Sequence, residues 1–133
     1  MTRERFRVPI RDESGVAWSI AEVKKVAGDL GFGDHIQMMI ATAVSELANN
    51  IIKYAGRGEI VIKKIARRNR MGIEIVAQDR GPGIANVKEA LADHLSSSGT
   101  LGLGLPGVQR MMDEFDIQSN PGKGTTVLIR KWC

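Results

Sequence analysis

Apolar and polar positions change period several times along this 133-residue chain, and each change marks an element. In "RERFRVPIR", Phe6, Val8 and Ile10 recur at every second position, which predicts a strand with one apolar face. After the turn "DESG", the segment "VAWSIAEVKKVAGDLG" has helical spacing and ends at Gly31. A second helix is predicted from Asp34, as N-cap, to Ala55, with Gly56 as its stop. Its apolar residues Ile36, Ile40, Ala43, Val44, Leu47 and Ile51 form a single stripe at roughly 100° per residue.

Alternation returns in "GEIVIKKIA" and "MGIEIVAQD", two strands joined by the basic turn "RRNR". "NVKEALADH" predicts a short helix capped by Asn86. The small, polar stretch "LSSSGTLGLG" follows, and "LPGVQRMMDEF" predicts another helix. "FDIQSN" and "TTVLIRKW", joined by "PGKG", are the closing strands. The order β-α-α-β-β-α-α-β-β contains no repeat and no low-complexity linker. Strands that arrive in adjacent pairs predict an α+β fold, a two-layer sandwich with a mixed, mostly antiparallel sheet and helices on one face. One domain over residues 1–133 is expected, long enough to bury its own core.

Composition narrows the function classes. Hydrophobic residues at 43% and charged residues at 26% are ordinary for a globular chain. No apolar run approaches the length that spans a bilayer, and the charged start "MTRERFRVPIR" has no apolar segment behind it. A cytoplasmic address without membrane association is therefore expected. The single cysteine, Cys133, excludes an intrachain disulfide, and no Cys/His cluster has zinc-ligand spacing. The net charge of +4 is mild, and its densest basic run, "KKIARRNR", reads as a solvated hairpin tip or as a docking patch for an acidic partner. With few aromatics and no nucleic-acid motif, DNA or RNA binding is not expected. His35 and His94 read as solvated polar residues, and Met38, Met39, Met111 and Met112 as core at helical spacing.

Candidate chemistry lies in three segments. In "VSELANNIIKYAG", residues 44–56, Glu46 and Asn50 are four apart and Lys53 three further, so all three follow one edge of the apolar stripe. Such an edge suits a magnesium triphosphate: an amide oxygen for the metal, a carboxylate to take a proton and an ammonium to offset phosphate charge. A plain i,i+4 hydrogen bond between border residues is the alternative. In "AQDRGPGI", residues 77–84, Asp79 shares strand parity with Ile73, Ile75 and Ala77 and is expected on the helix-covered face. No Lys or Arg shares its side of the strand, so an adenine amino group would serve as donor. Gly81 and Gly83 would let the backbone turn around a planar base; an ordinary Asp-Gly turn is the other reading. In "SSSGTLGLGLPG", residues 96–107, glycines offer backbone N–H groups ahead of a helix, with Pro106 in its first turn. That loop lacks the Gly-Lys-Ser/Thr ending of a P-loop.

In this order, Glu-x-x-x-Asn on a helix, Asp-x-Gly-x-Gly after a strand, Gly-x-Gly before a helix and the terminal "GKGTTV" resemble the boxes of the GHKL (Bergerat-fold) ATPases. That group includes DNA gyrase, heat-shock chaperones, histidine kinases and anti-sigma serine kinases. The resemblance runs over nearly the whole chain and implies a Bergerat ATP-binding fold using ATP and Mg2+. It implies Glu46 as general base or water orienter, Asn50 as magnesium ligand and Lys53 as a phosphate contact. Asp79 would accept from the adenine N6 group, with Gly81 and Gly83 shaping the turn. Gly102, Leu103 and Gly104 would supply lid amides, and Thr125 would join the adenine–Asp79 network while Thr126 faces away. Asn49 is placed only as packing.

The chain has no room for a histidine-bearing dimerisation domain, and "SELANNIIKYAG", "DRGPGI" and "GLGLPGV" look most like bacterial protein-serine kinases of the stressosome type. The resemblance implies a Ser/Thr kinase that phosphorylates STAS-domain scaffold proteins and then activates a PP2C-type phosphatase regulator. Two further readings stay open: a kinase that is an anti-sigma factor acting on an anti-anti-sigma protein, and a nucleotide-sensing binding module. The segment between His94 and Gly102 has no basic residue, so Lys53 with the lid amides, or a partner, would offset the γ-phosphate charge.

Overall fold

Alternation at the start of the chain builds an edge strand, β1 (Arg5–Ile10), with Val8 and Ile10 fully buried and Phe6 half-exposed at the end. The computed structural model describes residues 5–84 and 104–133. The predicted helix at 86–94 with its Asn86 cap, His94, and the loop glycines up to Gly102 with Leu103 lie outside the described residues.

The first helix, α1 (Glu13–Asp29), starts earlier than its apolar spacing predicts. "DESG" is not a free turn: Asp12 Oδ1 accepts from the Ser14 N–H at 3.0 Å and from the Ser14 hydroxyl at 2.5 Å, which caps the helix. The second helix, α2 (Asp34–Ala55), is capped by Gly33 rather than Asp34, whose acid lies in the first turn instead. Gly56, at φ 84°, ends it as expected, its N–H donating to the Ile51 and Ile52 carbonyls. Ile40, Ala43, Val44, Leu47, Ala48 and Ile51 are its buried stripe. Full burial of each large aliphatic side chain here contributes about 1.5–3 kcal/mol.

Two hairpins complete the sheet: β2 (Gly58–Arg67) with β3 (Arg70–Asp79), and β4 (Glu114–Asn120) with β5 (Gly124–Trp132). The order is β1-β2-β3-β5-β4, and every neighbouring pair is antiparallel, so the expected mixed sheet has no parallel pair among the described residues. Ile60, Ile62, Ile73, Ile75, Val127 and Ile129 face the helices and close the core from below. A third helix, α3 (Gly104–Met111), packs against α2 and contributes buried Val108. It stops four residues before the predicted end, because Asp113 is drawn to β5: its N–H donates to the Arg130 carbonyl at 3.0 Å, and its carboxylate accepts from the Trp132 N–H at 2.7 Å.

The basic run sits at the β2–β3 hairpin, whose turn is Arg68 (φ 54°) and Asn69. Its cations are mostly engaged within the chain. Lys63 meets Glu74 at 3.5 Å, Lys64 meets Asp29 at 4.0 Å and Arg67 meets Glu114 at 2.9 Å, while the Arg67 and Arg70 guanidinium groups lie 4.7 and 5.5 Å from the Trp132 ring centre. A hairpin tip satisfied by its own acids and indole fits these contacts better than a docking patch. Met112 is buried and Met39 and Met111 pack against the core, but Met38, expected inside, is 57% exposed.

Candidate functional site

The site begins on the flank of α2. Glu46 and Asn50 are both half-buried there, and no hydrogen bond or ion pair engages either side chain among the described residues. The plain i,i+4 bond between them is not made. The bond on this stretch belongs to Asn49, whose side-chain amide donates to the Ser45 carbonyl at 2.9 Å. Their polar atoms still reach solvent, since no buried side-chain nitrogen or oxygen among the described residues lacks a partner, so both are open to a ligand. Lys53 follows on the same helix, one turn further on. It is exposed, with its ammonium 5.2 Å from the Tyr54 ring centre.

Asp79 ends β3 on the core side, in line with buried Ile73, Ile75 and Ala77. Its Oδ1 accepts from the Gly81 N–H at 2.8 Å and from the Thr125 N–H at 3.3 Å. Both bonds fall on one oxygen, so Oδ2 retains its capacity among the described residues. Thr125 stands opposite Asp79 in the β3–β5 register and shares parity with buried Val127 and Ile129; Thr126 has the other parity.

Ser119 on β4, absent from the sequence-level site, organises this corner. Its hydroxyl accepts from the Ile84 N–H at 2.6 Å, lies 2.8 Å from the Thr125 hydroxyl and 3.2 Å from the Gly124 carbonyl. One donor and two acceptor positions are thereby all used if Thr125 donates to Ser119 and Ser119 to Gly124. The Gly122 N–H adds a bond to the Pro82 carbonyl at 2.7 Å, so the "DRGPGI" loop is tied at both ends of its turn to β4 and β5. No motif signals Ser119, since a serine in an alternating strand reads as surface.

The two loop glycines serve different needs. Gly83 has φ 78°, and a Cβ there would strike the Asn120 carbonyl. Gly81 needs no left-handed turn; a Cβ would lie 2.6 Å from the Ala55 Cβ and 2.9 Å from its Cα. Gly81 therefore permits the loop to touch α2. At Gly58 an added Cβ would come within 2.9 Å of Ile51 Cγ2 and 3.1 Å of Asp79 Cβ. The end of α2, from Ile51 to Ala55, thus lies beside Asp79 and its loop.

Asp79, Gly81, Gly83 and Thr125 accordingly form one cluster, and Glu46 and Asn50 share a flank of the adjoining helix. Gly104, at φ 63°, opens α3. Gly102 and Leu103 are outside the described residues. Among the described residues no three His, Cys, Asp or Glu side chains gather as a metal cluster, and no helix is long and apolar enough to cross a membrane.

Known proteins resemble this arrangement in sequence and in fold. The family described as histidine kinase-like ATPase domain matches residues 3–131. The serine/threonine-protein kinase RsbT of Bacillus subtilis is 47% identical over 119 residues, which is 86% of this chain and 90% of that protein. An anti-sigma F factor of Caldanaerobacter subterraneus subsp. tengcongensis is 35% identical over 99 residues, 70% of this chain and 68% of its own. Among solved structures, the RsbU and RsbW domains of a Mycobacterium tuberculosis protein align with a TM-score of 0.63 at 15% identity, over 98% of this chain and 32% of that one. The catalytic domain of the histidine kinase ThkA aligns with a TM-score of 0.51 at 14% identity, over 98% and 95%. These two structural likenesses show a shared fold. The family match over nearly every residue and the extensive identity to a kinase of similar length together establish that the chain belongs to the histidine kinase-like (GHKL) ATPase domain family.

Proposed function

We propose that residues 1–133 act as a single cytoplasmic, ATP-dependent protein serine/threonine kinase domain in sigma-factor partner switching. Its substrates are STAS-domain proteins, and its later partner is a PP2C-type phosphatase regulator. One observation carries the reading at the site: Glu46 and Asn50 stand half-buried and unpartnered on the helix that packs beside Asp79. Its similarity to RsbT supports the reading for the chain as a whole.

The residues present fit a magnesium nucleotide. Asp79 Oδ2 has acceptor capacity for an adenine amino group, while Oδ1 is held in place by two backbone N–H groups. Thr125 backs the same carboxylate and is itself held by Ser119. Asn50 provides one amide oxygen, suited to a metal that takes most of its ligands from phosphates and water. Mg2+-ATP supplies the phosphoryl group and the charge that offsets its transfer. Glu46 holds or deprotonates the incoming hydroxyl, a role worth about 10²–10⁴ in rate. The amides of Gly102, Leu103 and Gly104 would meet phosphate oxygens, and Lys53 would offset their charge. Such chemistry rests mainly on positioning and charge neutralisation.

Radiolabel transfer to a STAS-domain protein, measured beside nucleotide titration, separates the roles. Glu46→Ala loses transfer by about 100-fold or more and keeps its nucleotide affinity. Asp79→Asn weakens nucleotide binding itself, by roughly 10–100-fold for a lost bond to a charged group. Equal loss of both properties in Glu46→Ala counts against the assignment. The identity to anti-sigma F factors supports a second reading, a kinase that also holds a sigma factor. Retention of a sigma factor in a pull-down distinguishes it, since the leading reading requires none.

A further inference from the structure

Two features on the outer surface of the helical layer are unexplained by nucleotide binding. Met38 is 57% exposed on the helix that carries Glu46. Beside it runs an open groove of about 250 Å3 between α1 and α2, lined by Ile20 and Lys24 from α1 and by Met38, Ala41, Thr42 and Glu46 from α2. Its surface is mostly apolar, and Lys24 has no ion pair among the described residues. Glu46 lines the groove, so a chain lying there comes within reach of the one carboxylate assigned to the hydroxyl.

We propose that this groove docks the segment of the protein substrate that carries the phosphoacceptor hydroxyl. An apolar side chain of that segment seats against Ile20, Met38 and Ala41, and an acidic one meets Lys24, which leaves the hydroxyl at Glu46. The inference rests on the kinase reading and adds to it the substrate's chemistry. A lone hydroxyl gives a kinase almost nothing to recognise, whereas a general base must sit within a hydrogen bond, about 2.6–3.2 Å, of the proton it takes. Contacts beside the reacting group supply both affinity and placement. The groove offers one apolar seat and one free cation, which suits a segment with a large aliphatic residue and a carboxylate near its Ser or Thr. Lys24 favours a carboxylate on the side lined by α1, while Glu46, the anion of the lining, receives the hydroxyl.

Met38→Glu and Lys24→Glu alter solvent-facing positions and keep the core intact. With saturating Mg-ATP and a recombinant STAS-domain protein as substrate, Met38→Glu raises the KM for the protein about tenfold, and Lys24→Glu raises it several-fold, about fivefold. The nucleotide Kd stays within about twofold in both, and Met38→Leu keeps the wild-type KM. An unchanged KM in both charged variants, with wild-type transfer intact, overturns the groove and leaves the kinase reading standing. No transfer by the wild type with any STAS-domain protein overturns the kinase reading and the groove with it. A concentration-dependent dimer that Met38→Glu dissociates, without a change in KM, assigns the groove to a second copy and overturns the proposal.

Discussion

Ser119 shows how a residue without a motif can support a site. Its hydroxyl joins the Ile84 N–H, the Thr125 hydroxyl and the Gly124 carbonyl, and Thr125 in turn donates its N–H to Asp79. Replacing it by Ala leaves part-buried groups unpaired, at a cost of about 1–3 kcal/mol. Ser119→Ala is expected to lower the unfolding free energy by that amount, read as a fall in the urea midpoint, and to weaken nucleotide binding through Asp79, which denaturation and titration read separately. Asp79 itself was legible, because strand parity with Ile73 and Ile75 is a local property of the backbone. Ser119 was not, because its three partners come from residues 5, 6 and 35 positions away. Met38, expected in the core, is exposed for a related reason. Spacing places a residue on a helix edge, but the neighbouring elements decide where that edge meets water.

At the level of elements, boundaries moved where local signals were ambiguous. An Asp ahead of Ser and Gly makes the same side-chain to backbone bond in an isolated turn as in a helix cap. Only the continuation into Val16 and Ser19, both buried against the core side, turns "DESG" into the first turn of α1. Loss of the cap has a measurable cost: Asp12→Ala is expected to destabilise the protein, visible as a fall in the unfolding midpoint. Asp12→Asn, which keeps the acceptor, is expected to fall much less. At the other end, "MMDEF" has helical spacing, yet Asp113 and Glu114 pair with β5, and the helix stops at Met111. Pairing with a formed strand outweighs a weak propensity.

Across the whole molecule, the sheet face away from the helices is held by charges from four strands. Buried Glu74 receives Arg130 at 2.9 Å and Lys63 at 3.5 Å, while Glu114 receives the Trp132 indole N–H at 2.6 Å, Arg130 at 3.0 Å and Arg67 at 2.9 Å. The indole bond first, and then Arg130 and Arg67, lower the Glu114 pKa from 4.5 to about 2. A depressed carboxylate pKa contributes stability that is complete above about 4.5 and is lost as pH falls towards 2. Glu114→Gln is therefore expected to be less stable than wild type at pH 7, with the gap narrowing between pH 4.5 and 2. Denaturant midpoints at a series of pH values check it; a gap independent of pH would contradict this account.

Periodicity, caps and the order of the motifs were enough to determine the element sequence over the described residues, the two-layer α+β class, the buried stripe of α2 and the face on which Asp79 lies, because each depends on neighbours within about one or two helical turns or on strand parity. Tertiary structure decided the rest. It made every strand pair antiparallel, set Ser119 behind Thr125, gave Gly81 its task against Ala55 and left Lys24 and Met38 beside an open groove that reaches Glu46. Those relations arise between different elements brought face to face, and no pattern within one element encodes which neighbouring backbone a side chain will meet.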